Sequence, residues 1–331
     1  MPTHEIPRLE LDDARFVGQG LARPECVLAF SGNRLLVSDW RGGVTLIRGN
    51  GSQKTIIARG EVPPGGLRPN GIAVNRRGEI LLAHLDDQVG GVWLMNPDGL
   101  ARPWLLEVDS VPLPPTNFVY CDDRDRTWIT VSTRHIPRTV ARSKHIADGY
   151  IVVVVDGHAK IVADGIGFTN EAKVDPSGQW LYVNETFGRR LIRFPIDSRA
   201  ELGRAEIVAE FGPGVFPDGL EFDADGNIWI TSVFSNRLLR VDRRGHVETL
   251  LDDSVHEFVD VIEQQFSSDS LKDRPPEKIP SRVLRNISSA AFGGSKRQRI
   301  FLGCLQGDSI SYWDVDTVGA QPPYWDWLNI I

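Results

Sequence analysis

The chain has 331 residues, with 37 Lys and Arg against 44 Asp and Glu, so its net charge is −7. Phosphate binding needs a concentrated basic surface, and the basic residues here are scattered, which excludes a nucleic-acid partner. A membrane span needs roughly 18 or more consecutive apolar residues, and neither such a run nor a signal-peptide core at MPTHEIPRLELDD is present, so a soluble, cytoplasmic protein is expected.

Short strand patterns succeed one another along the chain: LLVSDW, VTLIRG, ILLAHL, GVWLMN, TWITVS, YIVVVV, WLYVNE, RLIRFPI, NIWITSV, RLLRVD and RIFLGCL. Each is rich in β-branched and aromatic residues and bounded by turn formers. Hairpin-type turns stand between paired strands at SGN, NRRGE, CDDRDR, DPSGQ, DADGN and GGSKRQ, and again at NPDGL and DRRGH. The acidic pairs Asp122, Asp123 and Asp252, Asp253 read as solvated turns. Cys26, Cys121 and Cys304 fall inside strand patterns without metal-type spacing, which predicts buried free thiols and a reducing compartment.

Six strand-turn-strand units share one register. The residues in front of their first strands are Glu25, Asn70, Asn117, Asn170, Asp218 and Ser289, at steps of 45, 47, 53, 48 and 71 residues. Except for the last step, these match the period of propeller blades. The expected fold is therefore all-β: one six-bladed β-propeller domain over residues 1–331, with a helical insertion before the last blade. Its ring would close with the N-terminal ARFVGQG as outer strand of the blade formed by Ala290 to Val315.

Innermost strands line a propeller's axis, so equivalent positions meet near one point. Five of the six ring residues then carry a carboxylate or amide oxygen to that point. Glu25, Asn117, Asn170 and Asp218 together supply two negative charges and two neutral oxygens. Such a set suits one divalent cation, Ca²⁺ first, with Mg²⁺, Mn²⁺ or Zn²⁺ as alternatives; the lack of a ring His or Cys counts against structural zinc. Asn70 reads equally as a further ligand, a substrate donor or a strand cap.

Two departures from the repeat fall on the same face. The loop after the second strand of blade three, STRHIPRTVARSKHIADG, carries Arg134, His135, Arg138 and His145. The insertion at about 251–285 contains Val255, Phe258, Val259, Ile262 and Phe266 at helical spacing. Both read as a lid over the ring, or alternatively as surface decoration or a dimer contact, with a monomer or homodimer expected. Other wall candidates are His84, Asp86, Asp87, Glu185, Phe187 and Phe234. Among these residues, His84 and His135 are candidate proton shuttles, because imidazole titrates near neutrality.

The segments RPECVLAF, TNFVYCD, GFTNEAKVDPSGQWLYVNET, FPDGLEFDADGNIWITSV and ISSAAFGGSKRQRIFLGCL resemble the gluconolactonase, senescence-marker and luciferin-regenerating-enzyme family of six-bladed propellers. The resemblance implies a divalent cation held at positions matching Glu25, Asn117, Asn170 and Asp218, and hydrolysis of a lactone or related ester. Asp218 would be ligand, general base or both. Sugar-lactone members place a basic residue before and an acidic residue after the blade-three asparagine, where this chain has Thr116 and Phe118. Phe118 is therefore expected in the substrate pocket, favouring a lactone less polar than gluconolactone. A phosphotriesterase on the same metal set, and a non-catalytic ligand-binding propeller with a structural cation, are the alternatives. No nucleophile elbow or phosphate-cradling loop is present.

Overall fold

The computed structural model describes residues 8–274 and 276–327. It is a six-bladed β-propeller with one α-helix, His256–Ser267, before the last blade. Blade one comprises Val27–Phe30, Arg34–Asp39, Gly43–Ile47 and Gln53–Ile57, paired antiparallel in that order. Blades two to five begin with Pro69–Val74, Phe118–Cys121, Thr169–Val174 and Phe216–Phe222. Blade six uses Ile287–Gly293, Arg299–Cys304 and Ile310–Asp314, and its fourth strand is Arg15–Val17 from the N-terminus, with Val17 opposite Ile310. The closure expected from ARFVGQG is the one observed. It ties the chain's two ends into one sheet and removes two free edges.

The hairpin turns repeat one device. Asn75, Asp122, Asp175 and Asp223 each accept two backbone N–H groups from the turn that follows. Such Asx turns satisfy turn amides that no strand can reach. Asp122 is buried, pairs with Arg126 and accepts the Trp128 indole N–H, so it is not the solvated turn expected. Asp253 departs from expectation likewise: buried, it accepts the backbone N–H groups of Arg282, Val283 and Leu284 at 3.0, 2.7 and 2.6 Å. It thereby anchors the return of the insertion to blade six.

The inserted helix buries Val259, Ile262 and Phe266, as its periodicity predicted. These side chains join Ala141, Phe168, Phe187, Phe216, Val233 and Leu271 in one apolar cluster. Phe266 meets Phe216 edge-on with centroids 5.3 Å apart. The Arg189 guanidinium lies over both rings and pairs with Glu263, whose carboxylate also accepts the Gly214 N–H at 2.6 Å. Lys144 of the blade-three loop reaches the Ser267 carbonyl at 3.0 Å, so the two departures from the repeat touch each other.

The C-terminal PPYWDW packs on its own blades. Tyr324 is buried against Phe30, and Trp325 lies in the cluster between blades one and six. Cys26, Cys121 and Cys304 are buried and unpaired. Among the described residues no helix is long and apolar enough to cross a membrane.

Candidate functional site

Several ring residues sit in a backbone device that sequence alone does not display. In blades two, four, five and six the pairing of the first two strands shifts register between Pro69 and Ile72, Thr169 and Ala172, Pro217 and Leu220, and Ile287 and Ala290. Each bulge brackets the ring residue of that blade. A bulge turns a side chain out of strict alternation; in blades two, four and five it accompanies a residue that lines the cavity, whereas Glu25 and Asn117 reach the cavity without one and Ser289, which has one, does not. Gly219 completes the fit in blade five: a Cβ there would sit 2.3 Å from the Ser288 carbonyl oxygen of blade six. The Asp-Gly pair of the PDG motif is thus an axial carboxylate followed by the residue that lets two blades meet.

Glu25, Asn70, Asn117, Asn170 and Asp218 converge on one cavity of about 260 Å³. Ser289, the sixth in register, is buried, and its hydroxyl accepts the Val27 N–H outside the cavity lining. The amides form a chain: Asn70 Nδ2 donates to Glu25 Oε1 at 2.7 Å, Asn117 Nδ2 to Asn170 Oδ1 at 2.6 Å, and Asn170 Nδ2 to Thr186 Oγ1 at 2.9 Å. Such a chain fixes which way each amide oxygen points.

Arginines flank the ring, and none was singled out as a site residue from the sequence. Arg23 donates to Asn70 Oδ1 at 2.8 Å and stacks on Trp40 with its guanidinium carbon 3.9 Å from the ring centroid. Arg138, on the short helical turn Arg138–Ala141 of the blade-three loop, donates to Asn117 Oδ1 at 3.1 Å and Ser132 Oγ at 3.0 Å. Arg142 lines the same cavity one turn further on. The remaining wall is mixed: Phe168, Phe187, Val233, Phe234, Ile279 and Leu305 are apolar, and Thr186, Asn286 and Gln306 are polar. Ile279 and Pro276 come from the insertion, so the insertion does overhang the ring.

Burial dominates the electrostatics. Removal from water pushes the Glu25 carboxyl up to about 7, against the pull of Arg23, Arg138 and the Asn70 hydrogen bond. Asp218 is raised well above the ordinary carboxylate range, first by burial, then by the nearby Glu25 and Glu171 charges. Two buried carboxylates around one cavity cannot both ionise cheaply without a cation between them.

Several expected wall residues lie elsewhere. His84 is buried, but its Nδ1 accepts the Arg68 N–H at 2.9 Å and its ring meets Trp93 edge-on. Burial holds its pKa down at about 4, so it stays neutral, and it does not line the cavity. His135 lies about half exposed beside Asp148, also outside the lining. The shuttle role assigned to both imidazoles therefore has no geometric basis here. Phe118 packs in the core between blades one and two, where its backbone leaves no room for a Cβ on Gly71. Glu185 is buried, pairs with Arg190 and accepts the Gly167 N–H at 2.9 Å, while Thr186 and Phe187 beyond it face the cavity. Asp86 pairs with Arg68, and Asp87 is exposed. Phe234 lines the cavity.

The donor set can be tested against a divalent cation. Among the described residues no group of three or more His, Cys, Asp or Glu side chains is gathered for a metal, so a cation would rest on two carboxylates and two amides. Glu25 Oε2 is buried and has no hydrogen-bond partner among the described residues. Arg23 Nη1 stands 3.8 Å from it, too far for a hydrogen bond; a buried carboxylate oxygen without one is costly, and a hard cation is a partner its chemistry suits. The residues present fit such an ion.

Comparison with known proteins agrees with this architecture. Residues 24–252 match the family model described as SMP-30/Gluconolactonase/LRE-like region. The chain belongs to that family. A 6-deoxy-6-sulfogluconolactonase of Pseudomonas putida is 30% identical over 97 residues, covering 29% of this chain and 33% of the relative. An uncharacterised protein of Sulfolobus acidocaldarius is 25% identical over 125 residues, 37% and 42% of the two chains. These alignments thus span less than half of either relative. Among solved structures, a gluconolactonase from Xanthomonas campestris superposes with TM-score 0.66 at 18% identity, covering 95% and 96% of the two chains. Regucalcin from Agrobacterium tumefaciens, a calcium-binding protein, gives 0.65 at 18% identity over 97% of each. At this identity the superpositions speak for the fold.

Proposed function

We propose that this protein is a divalent-metal-dependent lactonase whose cation, Ca²⁺ as first candidate, is held by Glu25, Asn117, Asn170 and Asp218. The observation that carries the reading is the convergence of these four side chains on one cavity, with Glu25 Oε2 buried, without a hydrogen bond, and 3.8 Å from Arg23 Nη1. Membership of a family with lactonase relatives, and the calcium-binding neighbour, support it. When bound, the cation supplies Lewis-acid polarisation of the substrate carbonyl, an effect of several kcal/mol on such reactions.

The chain's own residues do the rest. Asp218 is the base: a buried carboxylate lining the cavity, it takes a proton from the attacking water as the water oxygen bonds to the carbonyl carbon. The ring C–O bond then breaks, and the departing oxygen recovers that proton from Asp218 to give the open hydroxy acid. Asn70, fixed by Arg23 and Glu25, orients the polar edge of the substrate. Phe168, Phe187, Val233 and Phe234 exclude water from the opposite side. That wall, rather than Phe118, favours a lactone with an apolar face. The test is Asp218→Asn: turnover of a lactone should vanish while thermal unfolding and the circular-dichroism spectrum stay native. Full turnover in this variant would exclude the assigned base.

A further inference from the structure

The three arginines at the cavity are not equivalent. Arg23 is committed to Asn70, to Trp40 and, at 3.8 Å, to Glu25. Arg138 is committed to Asn117, Ser132 and the face of Phe168. Arg142 has no ion pair, ring contact or side-chain hydrogen bond among the described residues, although it lies partly buried in the cavity wall. Burial alone pulls its pKa down, with no anion to offset the loss of water, and its charge in turn depresses Arg138. Two like charges lining one partly desolvated wall weaken the fold; Glu25 and Asp218 offset part of this at Arg138, but no anion offsets it at Arg142. Guanidinium presents a planar fork matched to oxyanions.

We infer that Arg142 is a specificity residue, forming with the adjacent Arg138 edge a subsite for an anionic oxygen group, carboxylate or sulfonate, carried by the lactone substrate. The inference rests on the lactonase reading for the identity of the ligand, but not for the existence of the subsite. The cavity then reads as three zones: the oxygen ring for the ester, the phenyl wall for the apolar part of the ligand, and the Arg142 edge for its charge. Arg142 stands four residues after Arg138 on the long blade-three loop. The loop thereby supplies the basic group that the core-facing segment around Thr116 and Phe118 lacks.

The test compares γ-butyrolactone-γ-carboxylate with γ-hydroxymethyl-γ-butyrolactone, which share a ring and differ in charge, on the metal-loaded full chain. The γ-sulfomethyl analogue separates a tetrahedral anion from a planar one. For wild type, kcat/KM for one or both anionic lactones should exceed that for the neutral one by about 10- to 100-fold, the scale of a charge-assisted hydrogen-bond pair. The preference should collapse toward parity in Arg142→Gln and return in part in Arg142→Lys, each variant being checked for native unfolding. In parallel, calorimetry measures binding of 2-hydroxyglutarate and of 4,5-dihydroxypentanoate, the ring-opened products of the first pair. If no lactone is hydrolysed but 2-hydroxyglutarate still binds more tightly through Arg142, the lactonase reading falls and the anion subsite stands. Equal handling of charged and neutral ligands by wild type, or a preference that survives Arg142→Gln, would overturn the inference.

Discussion

Arg138 Nη2 lies 3.1 Å from Asn117 Oδ1, so a guanidinium from the blade-three loop is hydrogen-bonded to one of the four ring groups proposed to hold the cation. The same guanidinium lowers the pKa of both Glu25 and Asp218. It serves as an internal counter-charge that a divalent ion has to work against. Arg138→Gln should therefore bind Ca²⁺ more tightly than wild type, by about tenfold for one partly screened unit charge. Isothermal titration of metal-stripped protein checks this; unchanged or weaker affinity would show that Arg138 acts mainly by orienting Asn117.

Asp218 and Glu25 crowd one buried cavity, and burial disfavours the charge on each. Removing one of those charges relieves strain in the metal-free protein. Asp218→Asn is expected to keep or raise the metal-free melting temperature while lowering lactone turnover by at least about 10²-fold, the lower range for loss of a positioned base. A large drop in melting temperature with proportionate loss of activity would assign Asp218 a structural role instead.

His84 sets a pH dependence of stability. Its folded pKa is held down at about 4, chiefly by burial, against an unfolded value near 6.5. Between those values the unfolded chain binds more protons at this position, so stability rises with pH across that window. Its contribution is complete above about pH 6.5 and is lost progressively as pH falls toward 4. Urea midpoints at pH 7 and pH 5 should therefore differ more for wild type than for His84→Gln. Identical pH slopes in the two proteins would contradict the assignment.

Phe266 fastens the inserted helix to blades four and five through Phe187 and Phe216. Phe266→Ala removes a buried ring, a change that typically costs about 3–5 kcal/mol when the surroundings cannot collapse. Because the helix is an insertion held by one apolar cluster and a few polar contacts at Glu263 and Ser267, the loss should be local. Hydrogen exchange of residues 256–267 should accelerate strongly while the inner strands of the six blades remain protected. Uniform acceleration across the blades would mean that the insertion is integral to the propeller.

Much of this architecture was legible because it is periodic. The register of Glu25, Asn70, Asn117, Asn170 and Asp218 follows from local turn chemistry repeated at blade spacing, and the closing strand Arg15–Val17 follows from the blade the C-terminal strands leave incomplete. The amphipathic spacing of Val259, Ile262 and Phe266 is local as well. What escaped depends on distant partners. Phe118 and its neighbour Asn117 occupy one strand start, yet one faces the core and the other the channel, and only the packing against Gly71 decides which. His84 looks like a loop imidazole, but Trp93 and the Arg68 amide claim it. Asp253 looks like a solvated acid because the three amides it caps lie about thirty residues away. Arg23 and Arg142 carried no sequence signal, since a solvated arginine and a cavity arginine are spelled alike.

The central claim is tested most directly by following proton release from a panel of sugar, aliphatic and carboxylate-bearing lactones, using metal-stripped protein and the same protein restored with Ca²⁺, Mn²⁺, Mg²⁺ or Zn²⁺. The account predicts no turnover without metal, turnover of at least one lactone class on restoration, and loss of that turnover in Asp218→Asn. Hydrolysis that proceeds equally in stripped protein, or a bound cation with no hydrolysis of any lactone, would contradict it.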